Sequence, residues 1–188
     1  MTWSDFRYLI DNNALSHLTQ DQRASAFFRD RCHIPNEVLH EARGFPDFES
    51  LKANEYPTTA QVLNVLIEVM ATIPVDDTKL VDLYSNRGNA DPLLVACAVD
   101  AQRRSSEGVL FAPTWVVVSG DKAVQAKAGE FGITVMANSQ FAAVLEGRTL
   151  PRESTSARPP HVQSLEARND TAASRCSGEM PRSVSDHS

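Results

Sequence analysis

The chain has 188 residues, 42% of them apolar, and a formal charge of −6; at roughly 150 residues per domain this suits one cored domain plus an appendage. An acidic protein gains no general attraction to a polyanion, so any traffic with nucleic acid needs cations between its carboxylates and the phosphates. The odd set Cys32, Cys97 and Cys176 contains no C-x-x-C pair and points to buried thiols in a reducing compartment; with no basic-apolar leader and no apolar run near about 18 residues, cytoplasm is expected and a membrane span is not.

Phe6 to Ile10 reads as a short buried strand that stops at Asp11-Asn12-Asn13, and ALSHL then starts a short helix. A second helical stretch is expected over Asp21 to Arg31, and a short strand over Cys32 to Ile34. Pro35 suits the first turn of the next helix, whose apolar stripe is Val38, Leu39 and Ala42. Gly44 to Tyr56 reads as loop or frayed helix. Thr58-Thr59 can cap a helix with Val62, Leu63, Leu66, Ile67 and Met70 at helical spacing, ended by Pro74. Another helix is expected over Asp77 to Ser85 and a turn over Asn86 to Asn89. Asp91-Pro92 opens PLLVACAVDAQ, a helix apolar on most faces. Trp115 to Val118 reads as a central strand, Ser119-Gly120-Asp121 as its turn, Lys122 to Phe131 as helix, Ile133 to Met136 as the last strand and Gln140 to Leu145 as a closing helix.

Strands that are apolar throughout and alternate with helices predict an α/β fold, three layers α/β/α around a mainly parallel sheet. From Gly147 onward the periodicity stops and Ser, Arg, Pro and Thr dominate. The domain is therefore expected over 1–146, with a disordered polar tail over 147–188.

In a parallel sheet, strand C-termini and the helix N-termini that follow share one edge. Asp11 ends the first strand, Asp121 ends the strongest strand, and Asp91 begins the most buried helix, so the three can meet there. Glu41, on the helix after the second strand, could reach inward. Gathered carboxylates repel one another, and a hard divalent cation relieves this. Two such ions, roughly 3.5–4 Å apart, can clamp the attacking water and the leaving oxygen of a phosphodiester. Taken singly, each acid has a structural reading as good: a helix cap for Asp91 and Asp121, an Asx turn for Asp11, a solvated helix face for Glu41.

The order YLIDNNAL, IPNEVLHEA, GNADPLLVACAVDA and WVVVSGDKAVQAKAGEFGITVM resembles the PIN domain of prokaryotic VapC-type toxins, over about residues 6–146. The family pattern falls on Asp11 with Asn13, on Pro35, Val38 and Glu41, on Asp91, and on Ser119 with Asp121. The resemblance implies Mg2+ or Mn2+ held by Asp11, Glu41, Asp91 and Asp121, with Asn13 and Ser119 holding the carboxylates in place. It implies endonucleolytic cleavage of RNA, in toxin members an antitoxin partner, and often a homodimer. Asn12-Asn13 in place of the commoner Thr or Ser neighbours, the longer Glu55 to Leu80 stretch and the extra tail depart from the pattern.

Arg43, Arg87 and Lys122 lie near the acids in sequence and could grip phosphates, and Glu37, one turn before Glu41, is a reserve ligand. His17, His33 and His40 lack metal spacing. The competing readings are a PIN-like nuclease acting on DNA and an idle PIN fold serving as a binding module. Asp11-Asn12-Asn13 lacks the second Asp of a D-x-D phosphatase turn, the remaining residues match neither a phosphatase nor a receiver, and no nucleotide-binding glycine motif is present.

Overall fold

The computed structural model describes residues 6–74, 80, 91–108 and 111–147. The central strand β1 (Phe6–Ile10) is followed by three short helices, α1 (Asn12–Ser16), α2 (Gln20–Arg23) and α3 (Ala26–Arg31). Next come β2 (Cys32–Pro35) and α4 (Asn36–Glu41). Between two 3-10 turns lies α5 (Phe48–Leu51), and the second turn leads into β3 (Glu55–Tyr56). The rest is α6 (Ala60–Ala71), α7 (Asp91–Ser106), β4 (Thr114–Val118), α8 (Lys122–Glu130), β5 (Thr134–Met136) and α9 (Asn138–Leu145).

All strand pairings are parallel, in the order β3-β2-β1-β4-β5. The chain builds outward from β1 to β3, then crosses back to place β4 on the other side of β1. The strand order therefore reverses between β1 and β4, and α/β folds open a crevice at the strand C-termini at such a point.

The period-2 alternation of β1 and β4 divides the core into two halves. Leu9, Trp115 and Val117 face one way and pack with Val62, Val65 and Val69 of α6, the run from Leu93 to Val99 of α7, and Val124 and Ala128 of α8. Tyr8, Ile10, Val116 and Val118 face the other way and pack with α1, α3, α4 and α9 through Leu15, Phe28, Val38 and Phe141. The fold is α/β with three layers, as expected. The apolar run of α7 is explained by this: Pro92 through Ala101 are all buried. Fully burying one such side chain contributes about 1.5–3 kcal/mol, so truncating Leu94, which has no exposed surface, would cost about 2–5 kcal/mol. Cys32 and Cys97 are buried free thiols, and burial pushes the Cys97 thiol up to about 12, which leaves it inert as a nucleophile.

Several boundaries differ from the sequence reading. The stretch from Asp21 to Arg31 is two helices, because Ser25 leaves the helix and caps α3 through Phe28 N–H. Pro35 ends β2 and stands at the N-cap of α4 rather than inside its first turn. The segment expected as loop holds α5 and the edge strand β3. Buried Asn54 anchors that segment by donating Nδ2 to the carbonyls of Phe28 and Cys32, and Tyr56 Oη donates to Asp100 Oδ2 at 2.8 Å. Thr59 caps α6 as expected, but the helix buries only part of its apolar set. Leu63, Ile67 and Met70 remain 47%, 68% and 39% exposed.

Met1–Pro151 forms one compact unit. The tail expected to be disordered lies, beyond Gly147, outside the described residues, as do the helix expected over Asp77 to Ser85 apart from buried Leu80, the turn over Asn86 to Asn89, and Arg87 and Cys176. Among the described residues, no helix is long and apolar enough to cross a membrane.

Candidate active site

Asp11 and Asp121 follow the two neighbouring strands at the reversal point. Ile10 is level with Val118, and Asp11 N–H continues the ladder to the Val118 carbonyl at 3.1 Å. This register brings Ser119 beside Asp11. Ser119 is fully buried, and its Oγ donates to Asp11 Oδ2 at 2.7 Å while accepting from Asp121 N–H at 3.0 Å. One hydroxyl therefore ties the two acids, whose sequence positions are far apart. Asp11 stands at the N-cap of α1 but makes no side-chain capping bond. Its carboxylate, itself mostly buried, is not spent on helix capping, which removes the Asx-turn reading.

Asp121 does cap a helix. Its Oδ1 accepts from Ala123 N–H at 2.6 Å and Val124 N–H at 3.3 Å. The capping reading holds for this residue, and it leaves Oδ2 as the oxygen available to the site. Asp91 is the first residue of α7, half-buried, with α7 directed away from the same edge. Its carboxyl is raised from 3.8 to about 7, by burial first and then by the charges of Asp11, Asp121 and Glu41. Asp91 thus lies within the field of the other three acids. Glu41 ends α4 and is exposed at the rim. Its carboxyl is also pushed up, by burial of part of the side chain and then by Asp11, while a hydrogen bond from the Asn12 side chain opposes this. Glu37 adds a smaller like-charge contribution from one turn earlier.

At the C-terminal edge of the sheet Asp91 is therefore near enough to Asp11, Asp121 and Glu41 to feel their charges, and Glu41 to feel that of Asp11. They do not form a closed cage: among the described residues, no three His, Cys, Asp or Glu side chains stand together at ligating separation. The donor chemistry fits a hard divalent cation, being all oxygen. Two buried amide oxygens, Asn12 Oδ1 and Asn138 Oδ1, find no donor among the described residues, and such oxygens suit a hard cation or the water around it.

Asn13 does not touch the carboxylates directly. Its Oδ1 accepts from Asn138 Nδ2 at 2.8 Å, which ties the start of α1 to the start of α9. His17 Nδ1 lies 2.7 Å from the Asn13 carbonyl, so Nδ1 carries the proton and His17 braces the same turn. Gly120 makes this approach feasible: a Cβ there would sit 3.0 Å from Asn138 Nδ2 and 3.4 Å from Asn13 Oδ1. Gln125 adds a further brace, donating Nε2 to the Ser119 carbonyl at 2.6 Å. Sequence reasoning missed Asn12, Gln125 and Asn138. The available signal for Asn138 was its place immediately after a strand, on the same sheet edge. Lys122 faces Gln125 rather than an acid, and His33 packs on Trp115 at 5.0 Å between ring centroids, a structural role.

Compared with family models and with curated proteins, the chain matches none.

Proposed function

We propose that the chain is a PIN-type endoribonuclease that hydrolyses RNA phosphodiester bonds with Mg2+ or Mn2+ and serves as the toxin of a toxin–antitoxin pair. The observation that carries this reading is the coupling of Asp91 to Asp11, Asp121 and Glu41 at the strand-order reversal. Four acids drawn from four separate segments have no common structural task there. A carboxyl held near 7 also lacks the favourable partner that a structural acid normally has.

Asp11, Asp91, Asp121 and Glu41 would hold the cation through carboxylate oxygens. When bound, the metal supplies an activated water and neutralises charge on the phosphodiester. The chain's own part is positional. Ser119 fixes Asp11 Oδ2, the α8 amides fix Asp121 Oδ1, and Asn12 restrains Glu41, so that each of these carboxylates is held by a neighbouring polar group. Asp91, its carboxyl raised to about 7, would have to be ionised to hold the cation, so binding would be favoured by rising pH. The reading also implies two protein partners, an antitoxin and a second copy of the chain, and a cytoplasmic site of action.

A labelled single-stranded RNA beside a DNA of matched sequence, each with Mn2+ and with a chelator, tests the proposal. Manganese-dependent cleavage of RNA is expected. Cleavage of DNA alone would transfer the reading to a DNA nuclease. The open spacing of the acids favours one other reading, an idle PIN fold used as a binding module. Cleavage of neither polymer would support it.

A further inference from the structure

Beside the acid edge lies a second feature, which the metal chemistry does not use. α4 carries Glu37 and Glu41 on one face and Asn36, Leu39 and His40 on the next, with Arg43 continuing the second face just past the helix end. The second face, with Phe48, Lys52 and Glu55, lines an open pocket of about 130 Å³. Ligand sites for whole small molecules run to roughly 300–1,000 Å³, so this one has room for a single compact group.

Its chemistry specifies which group. Three basic side chains, His40, Arg43 and Lys52, converge on it in a protein whose formal charge is −6. The Arg43 side chain is exposed and makes no hydrogen bond or ion pair with the described residues. Lys52 pairs with solvent-exposed Glu49 at 2.8 Å, and exposed pairs of this kind are worth about 0–1 kcal/mol. The Lys52 ammonium sits 5.0 Å from the Phe48 ring centroid, so the ring braces the cation and its face is not open to a stacking base. The one carboxylate in the wall, Glu55, accepts from Asn36 Nδ2 at 2.6 Å. His40, in the pocket wall, and Glu41, on the acid edge, are consecutive residues at the end of α4, so the pocket and the acid edge meet there.

We infer that the pocket formed by His40, Arg43 and Lys52 binds a phosphate group of the substrate strand adjacent to the phosphodiester at the acid cluster. Arg43 supplies a planar, bidentate-capable fork and Lys52 a point charge, the two usual ways of holding a phosphate. An acidic nuclease gains little general attraction to its substrate away from bound metal. This cationic foothold fixes the strand's path over the end of α4. The inference rests on the nuclease reading of the acid edge.

The test measures Mn2+-dependent cleavage of a single-stranded RNA across a range of KCl for the parent, Arg43→Ala, Lys52→Ala and the double variant Arg43→Glu/Lys52→Glu. Each single variant should raise KM about 3–10-fold and change kcat less than about twofold. Each should also flatten the slope of log KM against log salt by about 0.7, the value for one lost single-strand phosphate contact. The double reversal should raise KM more than tenfold, and Arg43→Lys should recover most of the loss. The Mn2+ midpoint for thermal stabilisation should stay at the parent value, which shows that fold and metal site are intact. A 5′-phosphorylated RNA that alone shows the effect, against the same RNA with a 5′-hydroxyl, assigns the pocket to a terminal phosphate; equal effects assign it to an internal one. Parental KM and salt slope in the double reversal, with RNA still cleaved, overturn this inference alone. A parent that cleaves no RNA overturns the nuclease reading and this inference with it.

Discussion

Replacing Asp91 with Asn should stabilise the cation-free protein, which is unusual for a substitution at a half-buried polar position. Asn keeps the size and the hydrogen-bonding capacity suited to a helix start and removes the charge. In the folded chain the Asp91 carboxyl stands near 7 against 3.8 for a free side chain. Folded protein therefore binds more protons than unfolded protein between about pH 4 and 7, and stability falls as pH rises through that window. Above it the penalty is fully present. The rise corresponds to roughly 4 kcal/mol at 1.36 kcal/mol per pH unit. Part of the carboxyl is solvent-screened, and the α7 dipole favours its ionised form by about 0.3–1 kcal/mol, so about 1–2 kcal/mol remains. At roughly 2–4 °C per kcal/mol for a chain of this size, Asp91→Asn should melt about 2–8 °C above the parent at pH 8 in chelator. At pH 4 the two should melt together. Saturating Mn2+ should reverse the order, since only the parent gains the full linkage from the bound ion. Differential scanning fluorimetry at both pH values, with and without Mn2+, reads all of this. A variant that melts below the parent at pH 8 in chelator would refute the claim that Asp91 is held against the charges of its neighbours.

Ser119→Ala removes the hydroxyl that joins Asp11 to Asp121; it should cost about 1–3 kcal/mol in chemical denaturation and weaken Mn2+ binding about 10–100-fold by calorimetry. Asp121 separates two roles: Asp121→Asn keeps the α8 cap and should lose metal binding at near-parental stability, whereas Asp121→Ala should lose both, with about 1 kcal/mol of stability. Tyr56→Phe leaves the 3%-exposed Asp100 carboxylate with Arg104 alone, and should cost about 1–3 kcal/mol by urea titration without altering Mn2+ binding. On α6, Ile67→Glu should shift stability by no more than about 0.5 kcal/mol, whereas Val65→Glu, on the buried face, should leave the chain unfolded by circular dichroism.

Where the sequence reading succeeded, the physics was local and strong. WVVV and FRYLI read as buried strands because they are short, rich in β-branched or aromatic residues and followed by polar turn residues, and strand ends then locate Asp11 and Asp121. PLLVACAVDA shows that Asp91 opens a helix covered on most sides. Where it fell short, the deciding interactions were distant in sequence. A two-residue strand has no period to read, and β3 exists because Asn54 and Tyr56 find partners on α3, β2 and α7. The apolar spacing of α6 does not reveal which residues stay outside, because that depends on the position of α7. Ser25 breaks a stretch that composition would carry through, since a side-chain oxygen competes with the helix for its own backbone. Asn138, far along the chain from Asn13, could be recognised only once the sheet order was known.

The central claim is that the four acids form one metal-dependent nuclease site. The most direct test is Mn2+-dependent cleavage of labelled RNA by the parent and by the Asp11→Asn/Asp91→Asn double variant, both verified as folded. Loss of outer-shell partners alone lowers metal affinity or activity about 10–100-fold, so removing two inner carboxylates should abolish cleavage by more than about 100-fold. Equal cleavage by the folded double variant and the parent would contradict the account.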